Sequence, residues 1–127
     1  MNADRGTALR AAVVAGDEGT RTLLRGLLQM HRVPVEGEAS GETDGFELMR
    51  ARRPPLLVVD IALNEGSASG LIGQSRALVG ALRVILIAPA GNPPSIPTDA
   101  SERPDATLLR PFLIREFAEA LFPPEAG

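Results

Sequence analysis

The chain has 127 residues, 44% of them apolar and 23% charged, with a formal net charge of −3. That is the profile of one globular domain, with too little chain for a second core. With no cysteine and a single histidine, His31, disulfide frameworks, thiol nucleophiles, Cys-type zinc or iron–sulfur sites and His clusters are all excluded. All 13 basic residues are arginine, which removes the P-loop lysine and Schiff-base chemistry. The mildly acidic balance argues against bulk attraction to nucleic acid or anionic lipid, leaving a protein partner or a small ligand. The charged start, Met1 to Arg10, has no signal-peptide pattern, and no apolar run approaches a membrane span, so a cytoplasmic location is expected.

In chain order, Ala11-Ala12-Val13-Val14-Ala15 is a short apolar run ended by Gly16-Asp17-Glu18-Gly19, which predicts a buried strand entering a loop. Leu23, Leu24, Leu27 and Leu28 recur at helical spacing with Arg21 and Arg25 on another face. Val33-Pro34-Val35, followed by Glu36, Glu38 and Ala39, reads as an edge strand, because proline cannot donate to an interior ladder. Gly41-Glu42-Thr43-Asp44 offers turn and cap residues before Phe46, Leu48 and Met49, and Pro54-Pro55 ends the helix they begin.

Leu56-Leu57-Val58-Val59 is fully apolar and ends at Asp60, the signature of a central parallel strand buried on both faces. Leu71, Ile72, Ser75, Leu78, Val79 and Leu82 mark one helical face after a Gly/Ser-rich loop. Val84-Ile85-Leu86-Ile87-Ala88 and Thr107-Leu108-Leu109 supply two more strands, and Ile114, Phe117, Ala118 and Leu121 a closing helix. Alternating strands and helices with short connections predict a doubly wound α/β domain with a five-stranded parallel sheet. Between Ala88 and Thr107 the alternation fails. Pro89, Pro93, Pro94, Pro97 and Pro104 lie there, and each interior proline would cost a helix about 3 kcal/mol.

Three pieces taken together resemble the receiver domain of two-component response regulators: Val58-Val59-Asp60 at a strand end, the strand Val84 to Ala88, and Leu108-Leu109-Arg110-Pro111-Phe112 before the last helix. Leu9 to Val14 and Glu36-Gly37-Glu38-Ala39-Ser40 are similar to it as well. The resemblance spans residues 9–121 of a single receiver-like domain, 1–127. It implies a flavodoxin-like fold and places Asp60 at the position of the phosphoacceptor. Independently, functional groups of open parallel sheets gather at the carboxyl ends of central strands, where Asp60 sits.

The departures from the family pattern cluster around that aspartate. Receivers typically carry two adjacent acids at the end of the first strand, which with the acceptor hold Mg²⁺ against the phosphoryl oxygens. A gap-free register puts Ala15 and Gly16 in the place of this pair. A register with one residue deleted makes Asp17 the second acid with Glu18 just beyond it, so that Asp17, Glu18 and Asp60 become the metal-ligand candidates. Asp17 and Glu18 equally suit the positive end of a helix. The family's switch hydroxyl corresponds to Ala88, its fifth-strand aromatic to Thr107, and its lysine to Arg110, which keeps the charge on a longer planar fork able to pair with Asp60 in the phosphate pocket. The Arg110-Pro111 step resembles a family step that is commonly cis. Where the family has its fourth helix, Ala90 to Asp105 is proline-rich. That helix is expected to be missing or irregular, the segment being either a mobile loop or a pre-extended segment with a low ordering cost.

Other motifs carry less. Gly66-Ser67-Ala68-Ser69-Gly70 has alanine where a nucleophile elbow needs serine. His31 suits a solvated helix end, Arg50, Arg52 and Arg53 another helix end, and Phe46, Phe112 and Phe117 the core. The expected function is an atypical receiver in phosphorelay signalling, without a catalytic residue or cofactor. Its partner would be a kinase or output protein, or a second copy of the chain as a homodimer, with neither nucleic acid nor membrane involved. Two alternatives stay open: a working phosphoacceptor that uses Asp17 or Glu18 for metal, and a small-ligand-binding flavodoxin-like domain.

Overall fold

The computed structural model describes residues 9–123. Five parallel strands, β1 (Ala11–Val14), β2 (Val35–Ala39), β3 (Leu56–Asp60), β4 (Arg83–Pro89) and β5 (Ala106–Arg110), form one sheet in the order β2-β1-β3-β4-β5. Four α-helices connect or follow them: α1 (Glu18–Met30), α2 (Glu42–Arg52), α3 (Ala68–Leu78) and α4 (Ile114–Leu121). The strand order reverses between β1 and β3, so the crevice at their carboxyl ends is a topological switch point.

The apolar runs sit in the middle because both of their faces are covered. Val13, Val58, Ile85, Ile87 and Leu108 pack with Leu24 and Leu28 of α1 and Phe117 and Leu121 of α4. Ala12, Val14, Leu57, Val59, Val84 and Leu86 pack on the opposite face with Met49 of α2 and Leu71 and Ile72 of α3. Alternation along each strand divides its side chains between the two layers. β2 is the expected edge strand. Glu36 and Glu38 on it pair with Arg10 and Arg25 at 3.3 and 2.5 Å.

Two elements differ from their sequence patterns. The helical face read through Leu82 stops earlier: α3 ends at Leu78, Val79 is extended, and Leu82 is buried in the turn before β4. Its apolarity reports burial in the core layer with Leu71 and Val84, and the Arg76 guanidinium holds that turn through the Leu82 carbonyl at 2.9 Å. His31 is half-buried where a solvated residue is expected. Its Nδ1 is 2.9 Å from the Leu27 carbonyl oxygen, and its ring lies 6.1 Å from that of Phe117. Phe117 is fully buried and stacks on Phe112, whereas Phe46 and Phe112 are only partly buried.

Between β4 and β5 the only helical element is a 3₁₀ turn, Ala100–Glu102. The rest is turn, bend and irregular backbone without a helical ladder, in keeping with the prolines. Side chains replace the missing helical ladder: Arg103 donates to the carbonyls of Pro97 and Thr98 at 2.8 and 3.1 Å, Arg76 to that of Arg103 at 2.7 Å, and Asp105 accepts from the Val84 N–H at 2.7 Å.

Phe117 joins α4 to the layer formed with α1, so Phe117→Ala should cost about 3–5 kcal/mol by combined transfer and cavity effects. Urea unfolding measures this directly, and a loss below about 1 kcal/mol would be incompatible with full burial.

Candidate functional site

Asp60 ends β3 at the switch point and is only 2% exposed. A carboxylate withdrawn from water this far needs donors or a counter-charge, and it has both. Its Oδ1 accepts from the N–H of Ala62 at 2.8 Å, an Asx-type contact that turns the chain out of the strand. Its Oδ2 meets Nη1 of Arg110 at 2.5 Å. Arg110 ends β5, paired with Pro89 of β4, and its side chain therefore reaches past the end of the intervening strand. Ala88, near that end, is fully buried and offers no hydroxyl. The Arg110-Pro111 peptide is cis, in accord with the resemblance.

Across the crevice, where carboxylates would be needed to build a cation site, backbone closes on backbone. Ala15 is fully buried, and its N–H and carbonyl are taken by the Ala39 carbonyl at 3.0 Å and the Arg21 guanidinium at 2.7 Å. The Gly16 N–H donates to the Ala62 carbonyl at 2.9 Å. A Cβ on Gly16 would lie 2.9 Å from both the Ala62 oxygen and Oδ1 of Asn64, so no side chain of any kind fits there without displacing the loop after β3. Glycine is needed here for close approach.

Asp17 is employed elsewhere. It is the N-cap of α1, accepting from the N–H of Thr20 at 2.8 Å and from its hydroxyl at 3.1 Å. These hydrogen bonds hold its carboxyl below the ordinary carboxylate range, helped by the charges of Arg21 and Arg110. Glu18 occupies the first turn of α1. Among the described residues no three His, Asp or Glu side chains converge as a metal site. The residues present do not fit a Mg²⁺ ion beside Asp60, because Ala15 and Gly16 carry no carboxylate and that of Asp17 is committed to the start of α1.

The loop after β3 is tied down by contacts that the sequence does not announce. Glu65 accepts from the N–H of Thr43 at 2.7 Å at the start of α2, and Glu42 of α2 accepts from the Ser67 N–H at 2.8 Å at the start of α3. The loop residue Glu65 thus caps α2, and Glu42 of α2 in return caps α3. Gly66, with φ +76°, makes this approach with no Cβ to collide with Glu42.

Solved structures share this architecture. A CheY-like response regulator receiver domain protein from Methanospirillum hungatei superposes with a TM-score of 0.74 at 18% identity, covering 87% of this chain and 88% of that one. A receiver domain from Methylobacillus flagellatus gives 0.73 at 22%, covering 86% and 92%. The chain has the receiver fold. At these identities the likeness is one of fold, and no protein-family model and no curated protein matches the sequence. A response regulator from Burkholderia pseudomallei, with a TM-score of 0.74, 21% identity and coverage of 91% of this chain and 67% of that one, was solved with a phosphorylated aspartic acid, a calcium ion and citrate. Within this receiver fold the sequence-predicted residues fall into two groups. Asp60 and Arg110 meet, whereas Asp17 caps α1 and Glu18 stands in its first turn, and Thr107 lies exposed on β5.

Two predictions follow from the geometry. Arg110→Ala leaves a buried carboxylate without its cation and should lower stability by about 1–3 kcal/mol, less than for a fully buried pair because Arg110 is 34% exposed. Chemical denaturation reads it, with Asp60→Asn/Arg110→Ala recovering part of the loss. Gly16→Asp should destabilise by about 1–3 kcal/mol through the clash with the loop after β3. It should also confer no Mg²⁺ binding by titration calorimetry; a folded variant with a new cation site would contradict this closure.

Proposed function

We propose that this chain is an atypical receiver in two-component or related signalling, acting as a protein-interaction module with little or no Mg²⁺-dependent phosphorylation of Asp60. The observation that carries this reading is the short ion pair between Arg110 and the buried carboxylate, which places a guanidinium where an incoming phosphoryl group would need room. An attacking carboxylate has to present a free oxygen in line with the phosphoryl donor, and a cation has to neutralise the charge that builds up. Here one oxygen is held by the Ala62 N–H and the other by Arg110, and Ala15 and Gly16 at the neighbouring strand end carry no acid.

The same features support regulation by binding rather than by covalent modification. Ala88 and Thr107 lack the hydroxyl and the ring that the family resemblance places at those positions, so the usual relay from pocket to surface has no parts. On this reading the domain is a regulatory module and not an enzyme, its partner a kinase or output protein.

Incubation with acetyl phosphate and Mg²⁺, followed by intact-protein mass measurement, should show no stoichiometric phosphoryl gain. Efficient addition of one phosphoryl group that disappears in Asp60→Asn would overturn the proposal and favour a working phosphoacceptor.

A further inference from the structure

The space that a fourth helix fills in the family pattern is here a cleft of about 1020 Å³ between the sheet, α3 and the proline-rich segment. Its floor is Leu86 of β4 with Thr107 and Leu109 of β5, its wall is Ile72 of α3, and residues 93–98 pass over it as a roof. Arg103 fixes the shape of that roof through the carbonyls of Pro97 and Thr98, so the opening does not depend on a helix. Leu109 is 38% exposed beside the exposed Thr107 on the same face of β5, whereas Leu86 on the neighbouring strand is covered.

One charged group on the cleft is free. Glu102 lies across α3, with its Cγ 3.1 Å from where a Gly73 Cβ would stand, and among the described residues its carboxylate has neither an ion-pair nor a hydrogen-bond partner. The neighbouring cations are engaged elsewhere, Arg103 with carbonyls of the roof and Arg76 with Leu82, Arg103 and Asp105. Asp99, also on the rim, already accepts from Ser101.

We propose that this cleft is a binding site for a small apolar molecule carrying a cationic amine, its body on the exposed Leu109 above the nearly covered Ile72 and Leu86 and its charge beside Glu102. Three observations choose this occupant. The volume is at the upper end of small-molecule sites, much of the lining is apolar, and Glu102 is a partnerless carboxylate on a lining where two acids, Asp99 and Glu102, face one arginine, Arg103. Thr107 is what keeps the floor open, since the bulk of an aromatic side chain there would project into the same space.

The site does not depend on whether Asp60 is ever modified, so this proposal and the proposed function fail separately. The test uses 4-phenylbutylamine, its carboxylate counterpart 4-phenylbutyrate and the neutral 4-phenylbutanol as probes, followed by amide chemical shifts of the intact chain. The amine should give saturable shifts centred on residues 72, 86, 102 and 109, binding at least fivefold more tightly than the carboxylate. Glu102→Gln should erase that preference while leaving binding of the alcohol unchanged. Thr107→Tyr, at an exposed strand position that tolerates an aromatic residue, should weaken the amine and the alcohol alike by at least fivefold with the fold retained. No saturable shift at these residues, equal binding of amine and carboxylate, or shifts unaffected by Thr107→Tyr would each overturn the assignment.

Discussion

The central constraint of this molecule is a carboxylate placed at the bottom of a sheet crevice with almost no access to water. Asp60 cannot sit there as a bare charge, and the chain meets the need internally with Arg110, carried two strands away on β5. The pairing couples the carboxyl ends of β3 and β5 across β4. A guanidinium suits this reach better than an ammonium would: it is longer, planar and permanently charged, and it can hold a carboxylate oxygen while remaining partly solvated.

Compensation from within has a chemical cost elsewhere in the crevice. Once the aspartate has its cation, acids opposite it have no structural duty, and the loop after β1 is free to close. Gly16 donates to Ala62, Ala15 is sealed against Ala39, and Asp17 turns away to cap α1. The three changes agree with one another, because a side chain at position 16 could coexist neither with the backbone contact nor with Asn64.

Much of this could be read from the amino-acid order, because the information was local. Leu56 to Val59 and Val84 to Ala88 are apolar on both faces and so had to be interior strands, and the prolines of 90–105 forbade a regular helix. The Asp60–Arg110 contact was legible as well, but only through the resemblance, since 50 residues separate the partners. What escaped was long-range: the crossed caps of Glu42 and Glu65, separated from their partners by 25 and 22 residues, and the close approach that makes Gly16 obligatory. The end of α3 escaped for a different reason. Leu82 keeps helical spacing but is buried by the turn, and burial alone does not distinguish the two.

The crossed caps bear on how the domain can move. Along the loop that leaves β3, the backbone N–H groups of Ile61, Ala62, Asn64 and Ser67 and the carbonyls of Ala62 and Glu65 all have partners in other segments or in the Asp60 side chain. Displacing it would unfasten the starts of two helices and a neighbouring crossover at once. Such a loop acts as a stiff abutment rather than a hinge, and a stiff abutment transmits the presence of a bound companion without first changing its own shape.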